Sequence, residues 1–392
     1  MNMFRFNLSE SHLATDYSRV NIAQVAIRER ALVELDALYE ATRNGDMTAL
    51  RFLEDLRDGR RRLYESMTTS DFVGLTSELA ARRLRARFMA HPLIYTRIIS
   101  VRSAPINNFK NVHSVRVDRD KNSTTFGQAI PEGGTFGYSS FKDSIDAYRV
   151  FKYIEGYRHS FELMLNDDLG GIAQILGYMR DDAVYIQELF AVKLFADANG
   201  PHASLYNATN GNLLTGNPAM SEASLELAFN TIGEAKDKSG RPIHITNGLV
   251  VVVGNKSLEA RALRFKNAIE TRRTEGDTLI VTANSLPDFD VVYNPYIASV
   301  VTSNLATSWW VMPRPVQGEI ATRTWAEIGF LTGMRVPQLY RKVANTQLVG
   351  GGLQQNIGDF NTWSQEYAVA TAFGGRQMED TQVTVASNGS GS

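Results

Sequence analysis

The chain has 392 residues with 41 Lys and Arg against 42 Asp and Glu. This near-neutral balance gives no global basic field of the kind that draws a protein to nucleic acid. The sequence contains no Cys, which excludes disulfides, thiolate metal sites and cysteine nucleophiles. It also lacks a signal-peptide core and any run near eighteen apolar residues, so we expect a protein made in the cytoplasm with no membrane partner.

Residues 1–110 are predicted to form a helical N-terminal arm, with residues 1–100 peripheral. Apolar residues recur at helical spacing from Ile22 to Tyr39 and again up to Pro92, which stops the last predicted helix. Two interpretations of the Arg clusters in this arm stay open: a solvated face with i,i+4 partners such as Glu78 for Arg82, or contact with phosphate or with an acidic neighbouring subunit. The clusters are Arg60, Arg61, Arg62, Arg82 and Arg83.

From Phe109 to Phe161 the pattern changes to two strands that flank a long polar loop. The alternation in 113–117 and 147–157 predicts the strands, and the loop between them is rich in Gly, Ser, Thr and charge. A hairpin with so polar a tip cannot bury enough apolar area to stand alone. It is therefore either a disordered insertion or a segment that lies on another molecule.

A long helix is predicted next, from Asp167 to Asn199. Asn166, Asp167 and Asp168 form its N-cap, where acidic residues suit the helix dipole, and Asn199-Gly200-Pro201 is predicted to end it. One apolar face runs from Ile172 to Leu194. Its other faces carry Arg180, Asp181, Tyr185 and Glu188, which we expect to point outward.

Residues 205–342 are predicted to form a mixed α/β module. Ser221 caps a short helix, and the apolar runs at 248–253, 278–282, 289–293 and 308–312 predict strands. A further helix is expected at 257–272 and a last strand at 363–373. The segment from Gln377 onward is polar, and we expect it to be weakly packed.

Motifs that carry catalytic or cofactor chemistry are missing from the sequence. The six His residues are far apart, and no metal-binding, phosphate-binding or nucleophile motif is present. The pair Asp167-Asp168 could be imagined as a metal or general-base site, but helix capping accounts for it. We therefore predict no catalytic residue, no metal and no cofactor, and a structural or assembly role.

The order of these parts resembles the HK97-type major capsid fold, an α+β fold. The segments 157–171, 210–225 and 240–242 look like the corresponding segments of Mu-like phage major head subunits, in which an acidic pair opens the long helix. The segment 69–110 is similar to the start of such proteins. The resemblance covers roughly residues 69–375.

The resemblance implies a domain for each part of the chain. Residues 1–110 become the N-arm, 111–156 the E-loop that lies across a neighbouring subunit, and 157–204 the peripheral (P) domain with its spine helix. Residues 205–342 become the axial (A) domain, and 343–392 the returning P-domain strand and the tail. The E-loop residues expected at the intersubunit contact are Asp118, Lys121, Glu132 and Lys142.

The implied function is a major capsid protein that self-assembles into an icosahedral phage head around double-stranded DNA. Pentamers and hexamers of the chain, packaged DNA, a portal and possible scaffolding or decoration proteins are the implied partners, with assembly in the bacterial cytoplasm. Two alternatives stay open. One is an encapsulin-like shell that stores cargo protein, and the other is a soluble α/β enzyme with the hairpin as its lid.

Overall fold

The computed structural model mixes helices and strands, as an α+β protein does. It describes residues 22–43, 47–49, 51–52, 81–116, 132, 141–160, 169–236, 242–245, 248–275, 278–284, 286–315, 324–342, 361–362, 364–378 and 381–391. Among these residues the α-helices are α1 (Ile22–Arg43), α2 (residues 81–90), α3 (Leu169–Lys193), α4 (Glu222–Gly233) and α5 (Lys256–Asn267), and residues 47–49 and 51–52 are also helical.

The strands follow in chain order. They are β1 (Ser100–Ala104), β2 (Asn108–Arg116), β3 (Phe141–Arg149), β4 (Phe151–Ser160), β5 (Ala196–Asp197), β6 (Gly200–Pro201), β7 (Leu249–Val253), β8 (Glu270–Glu275), β9 (Thr278–Ala283), β10 (Phe289–Tyr293), β11 (Trp309–Pro313), β12 (Ala326–Leu331), β13 (Gln338–Arg341), β14 (Ser364–Gln377) and β15 (Val385–Ser387). Short 3-10 turns lie at Tyr95–Arg97, Pro295–Ser299 and Thr381–Val383.

The chain divides into two compact units, and α3, β4 and β14 each contribute residues to both units. Unit 1 comprises Met1–Arg87, Glu155–Met179 and Leu339–Val369, and unit 2 comprises Phe88–Ile154, Arg180–Gln338 and Ala370–Ser392.

In unit 1, the described part of α1 buries Ala31, Leu32 and Leu35. This agrees with the predicted apolar stripe, because these positions share one helical face. The strand segments of unit 1 are joined by charge: Glu366 of β14 pairs with Arg158 of β4 at 2.7 Å and with Lys342 at 3.0 Å. Those two cations hold the pKa of the Glu366 carboxyl below its usual value.

Unit 2 contains a sheet built from distant parts of the chain. β1 pairs in parallel with β12, from Ser100 opposite Glu327 onward, and β12 pairs antiparallel with the end of β14, from Ala326 opposite Gln377. Residues 93–104 therefore belong to the core, with Tyr95, Ile98 and Ile99 buried. The prediction that residues 1–100 are helical and peripheral is wrong for this segment, because Pro92 ends the helix and an apolar strand follows.

A second sheet of unit 2 has the order β10-β7-β11-β15 and is buried on both faces. Val250, Val252 and Trp310 point into one core together with α3, whereas Val251, Val253 and Trp309 point into another. The second core is lined by α4 and α5. Because side chains alternate along a strand, burial on both faces requires the unbroken apolar run from which β7 was predicted.

The long helix ends earlier than expected. α3 spans 25 residues, from Leu169 to Lys193, which makes it about 37 Å long. Phe195 then turns into the core, with its ring 5.4 Å from that of Trp310. Asp197 accepts hydrogen bonds from the backbone N–H groups of Asn199 and Ala203, which favours a turn over a further helical turn. Asn199 therefore lies in the turn of the β5–β6 hairpin, and Gly200 begins β6 and does not cap the helix.

Two other expectations are corrected. The helix predicted at 257–272 ends at Asn267, and residues 270–275 form β8, which pairs with β9. The segment after Gln377 is not weakly packed, because β15 pairs with β11 from Trp309 opposite Ser387, and Val383, Val385 and Ala386 are buried. A sequence window that is polar on average does not reveal a three-residue strand that completes a distant sheet.

Candidate functional site

The hairpin expected at the E-loop is present as the ribbon β2–β3. Its register runs from Asn108 opposite Arg149 to Arg116 opposite Phe141, nine antiparallel pairs that span about 30 Å. Among the described strands, β2 and β3 pair only with each other. A two-stranded ribbon of this kind is marginally stable without further packing.

The base of the hairpin is anchored in the core of unit 2. Phe109 and Tyr148 stand opposite each other in the register and stack with ring centroids 5.1 Å apart. Phe109 is 1% exposed, and with Val150 and Ala372 it forms a small apolar cluster. The base of the hairpin is therefore held in place by packing against the core.

The buried carboxylate of Glu327 further stabilises the base of the hairpin. Glu327 of β12 is buried, and the Tyr148 hydroxyl donates a hydrogen bond to its Oε1 at 2.6 Å. Arg102 of β1 lies 3.9 Å from the same oxygen, and its guanidinium lies 5.7 Å from the centre of the Phe109 ring. Burial, followed by the bond to Glu327, raises the pKa of Tyr148 well above its ordinary value. Sequence reasoning missed this cluster, since its members come from four strands and no local motif unites them.

The helix α3 carries both a core face and an exposed face. Met179 and Ala183 of the predicted apolar stripe are buried, and so is Val192. Tyr178 and Tyr185 are 62% and 42% exposed, and Arg180 pairs with the exposed Asp181. Three of the four residues expected to point outward (Arg180, Asp181 and Tyr185) are thus at least partly exposed.

Glu188 does not point outward, which corrects the fourth expectation. It is 0% exposed, and its Oε1 accepts hydrogen bonds from the backbone N–H groups of Ile94 at 2.5 Å and Tyr95 at 3.3 Å. Burial raises the pKa of Glu188 to about 7, while the backbone N–H groups of Tyr95 and Ile94 and the nearby Asn294 amide act in the opposite direction. A helical wheel could not reveal this, because the groups that solvate the carboxyl lie more than 90 residues away in sequence.

Arg82 and Arg83 of α2 contact carboxylates of α1. Arg82 makes two hydrogen bonds to Glu29 at 2.8 and 3.0 Å, and Arg83 Nε lies 2.6 Å from Asp36. Arg83 also lies 3.5 Å from Glu40. Carboxylate partners of both Arg residues are therefore present on another helix, whereas Glu78, the partner predicted for Arg82, lies outside the described residues.

Most other predicted site residues cannot be placed. Asp118, Lys121, Arg60, Arg61, Arg62, Asn166, Asp167 and Asp168 lie outside the described residues. Glu132 is an exposed turn residue, and Lys142 belongs to β3 opposite Val115. Their roles stay predictions.

Within the described part of the chain, no group of His, Asp and Glu residues has the arrangement of a metal site. No helix in that part is long and apolar enough to cross a membrane. What the geometry does offer is an anchored ribbon and a helix with exposed aromatic residues, which are features of a structural protein that contacts other subunits.

Comparison with known proteins supports this class. Residues 145–385, more than half of the chain, match the family model described as phage capsid protein. The chain therefore belongs to the phage capsid protein family. It is a major capsid protein, a structural component of the virion, whose subunits self-assemble into the shell. The mixture of helices and strands confirms the α+β class expected from the sequence.

Several solved structures are similar at low identity. A structure from Mycobacterium phage Patience is 10% identical and covers 79% of this chain and 87% of its own, with a TM-score of 0.43. The capsid structure of the cyanophage P-SCSP1u is 10% identical and covers 75% and 87%, with a TM-score of 0.43. The SrpI encapsulin complex of Synechococcus elongatus is 9% identical and covers 73% and 84%, with a TM-score of 0.42. No curated protein sequence matches the chain.

Proposed function

We propose that this chain is the major head subunit of a tailed bacteriophage, of the Mu-like type, and that its icosahedral shell encloses double-stranded DNA. The observation that carries the proposal is the ribbon β2–β3, which pairs with no third strand among the described residues but is fixed at its base by Phe109 and Tyr148. Such a ribbon gains a stable environment when it lies on a neighbouring subunit.

In this proposal each subunit contributes contact surfaces at several places. The E-loop (111–156), with Asp118, Lys121, Glu132 and Lys142, lies across a neighbour. The P domain (157–204 and 343–392) provides the exposed face of α3, and the A domain (205–342) meets its copies around five-fold and six-fold positions. The N-arm (1–110) lies along the inner face or on an adjacent subunit. Heterologous contacts of this kind close into rings of five and six, and the total interface exceeds a standard area of about 1,600 Å².

The proposed partners follow from this role. Packaged DNA lies against the inner surface, and the Arg-rich arm is its nearest basic segment through Arg60, Arg61 and Arg62. Arg82 and Arg83 already contact carboxylates of α1, which supports a role in holding the arm together. A portal, and scaffolding or decoration proteins, complete the assembly in the bacterial host cytoplasm. The protein has no catalytic role, and it uses no cofactor or metal.

The E-loop proposal is tested by shortening the hairpin. Residues 117–140 are replaced by Asn-Gly, which closes the last observed pair, Arg116 opposite Phe141, as a two-residue hairpin turn. We expect a folded subunit with an unchanged circular dichroism spectrum that forms no particles by size-exclusion chromatography and negative-stain microscopy. Particles of normal size and yield from this variant would show that the loop is dispensable for assembly.

The DNA proposal is tested on particles purified from cells that make all the head proteins of the phage. We expect nuclease-resistant double-stranded DNA inside them. A particle that instead retains a defined cargo protein and no nucleic acid would favour the encapsulin-like alternative. A small oligomer that never forms particles would favour the enzyme alternative.

A further inference from the structure

Glu188 joins three separate chain segments inside unit 2. It lies on α3, and its carboxyl group faces the turn at Ile94–Tyr95 and the residue Asn294, which follows β10. The turn at Ile94–Tyr95 leads through the buried Ile98 and Ile99 into β1, the strand that precedes the hairpin. A change at this carboxyl therefore acts on the segment that supports the hairpin base.

Only one of the two oxygens of the Glu188 carboxyl group accepts hydrogen bonds in the described part of the structure. Oε1 accepts two backbone N–H groups that begin the 3-10 turn Tyr95–Arg97, donors that a helix start leaves without an internal partner. Oε2 is buried and has no hydrogen-bond partner in the described part of the structure. The amide Nδ2 of the buried Asn294 also lacks a hydrogen-bond partner. The Oδ1 of the same side chain accepts a hydrogen bond from the N–H of Tyr296.

The charged and titratable groups around Glu188 do not neutralise it. Tyr95 donates its hydroxyl to Gln187 at 3.1 Å and lies near Arg335, and Tyr296 lies on the side of Asn294. On α3 itself Asp181 adds a second negative charge toward Tyr296. No ion pair to Glu188 is found among the described residues, so its ionised form is a buried and half-solvated charge.

We propose that Glu188 is a proton-sensitive joint: the protonated carboxyl keeps the Ile94–Tyr95 turn docked on α3, and the ionised carboxylate releases that turn so that water reaches Oε2. The turn opens at its Ile94 end, because Ile94 is only half-buried, whereas Tyr95 and Asn294 are buried. The shell subunit is thus tighter at the hairpin base in mildly acidic solution and looser in mildly alkaline solution.

Hydrogen exchange of the full-length protein tests this joint. The peptide spanning 94–99 is followed at about pH 6 and about pH 8, with rates corrected for the intrinsic pH dependence of exchange. Since the carboxyl titrates near 7 when docked and near 4.5 when solvated, the opening equilibrium should rise roughly tenfold between these two pH values. In Glu188→Gln we expect less than a twofold change, because the amide cannot ionise.

Two control variants separate this joint from other titrations. Glu226→Gln makes the same chemical change at an exposed position of α4, and His91→Gln removes the imidazole nearest to the turn in sequence. Both should keep the tenfold change. Loss of the change in His91→Gln, or its persistence in Glu188→Gln, would overturn the proposal. If Glu188→Gln does not fold, the pH dependence of the wild-type protein is the test. A rise in hydrogen exchange of the 94–99 peptide centred near neutral pH supports the joint, and exchange protection that is independent of pH overturns it.

Discussion

Individual residues show how closely the hairpin base is packed. A Cβ atom added to Gly329 of β12 would lie 2.5 Å from the Tyr148 hydroxyl and 2.8 Å from the Phe109 ring. Neither neighbour can move freely, because the two rings stack on each other and the hydroxyl is bonded to Glu327. Gly329 is therefore required for space and not for backbone freedom.

Replacing Gly329 with Ala should destabilise the subunit by about 1–3 kcal/mol, the usual cost of forcing extra volume into a packed core. Chemical denaturation of the unassembled protein measures this loss. Gly177→Ala is the matched control: no atom lies within 4 Å of the added Cβ, and this residue of α3 should gain about 0.5–1 kcal/mol from its lower unfolded-state entropy. Equal effects of the two substitutions would contradict the packing described for Gly329.

The buried carboxyl of Glu188 predicts an unusual pH dependence of stability. Its pKa is raised to about 7 from an ordinary 4.5, so between these values the folded state binds more protons than the unfolded state. The free energy of unfolding should therefore fall as the pH rises from about 4.5 to about 7, by at most about 3 kcal/mol, and this contribution should be constant above that range. Denaturation curves of wild type and Glu188→Gln across this range should converge at low pH. Above neutral pH the variant should be the more stable of the two, and the reverse order would contradict the assignment.

At the scale of elements, local patterns predicted what local forces determine. Ser221 caps α4 through reciprocal hydrogen bonds with Ser224. The strands β7, β10 and β11 were predicted correctly because their sequences are continuous apolar runs. The errors lie where tertiary contacts decide. α3 ends at Lys193 since Phe195 is needed between Trp310 and Trp325, and β15 exists only because β11 offers it an edge.

The strand β15 should be essential for unit 2. Deleting residues 385–391 removes the strand that covers the edge of β11, together with the Ser387 hydroxyl that bonds to Pro218 at 2.7 Å. We expect a red-shifted tryptophan emission, since Trp309 and Trp310 lie on β11 and are 0% exposed in the intact chain. Ser390→Ala, at an exposed position, should change the stability by less than about 0.5 kcal/mol. A truncated protein with native emission would show that β15 is accessory.

At the scale of the whole molecule, the order of elements carried more information than any single residue. A polar hairpin, a long helix and an α/β module in that order, with the segments 157–171, 210–225 and 240–242, resemble a phage capsid protein, and the family match agrees. The same sequence could not reveal the cluster of Tyr148, Glu327 and Arg102 or the position of Glu188. Those groups meet through pairings between residues far apart in the chain, which no local spacing encodes.

Deleting residues 1–65 tests the arm at this scale. The deletion removes α1 and with it Glu29, Asp36 and Glu40, the partners of Arg82 and Arg83. The sheets of unit 2 use residues from 100 onward, so we expect a folded subunit that assembles poorly. Particle yield by sedimentation is the measurement, and the Arg83→Ala variant should show a smaller loss. Normal particles from the deletion would rule out a permanent assembly role for the arm.

The pairing of β1 with β12 also governs the order in which the molecule can fold. The Trp325 indole bonds to the carbonyl of Ile98 across 227 residues, and β12 in turn pairs with β14. The ribbon β2–β3, with adjacent strands, can form within microseconds, whereas the central sheet requires closure of a very long loop. During synthesis the two hairpin strands can therefore begin to pair before the body that anchors them has formed. The newly made subunit then exposes the proposed intersubunit hairpin on an unfinished core, and we expect misassembly to begin where nascent chains are crowded.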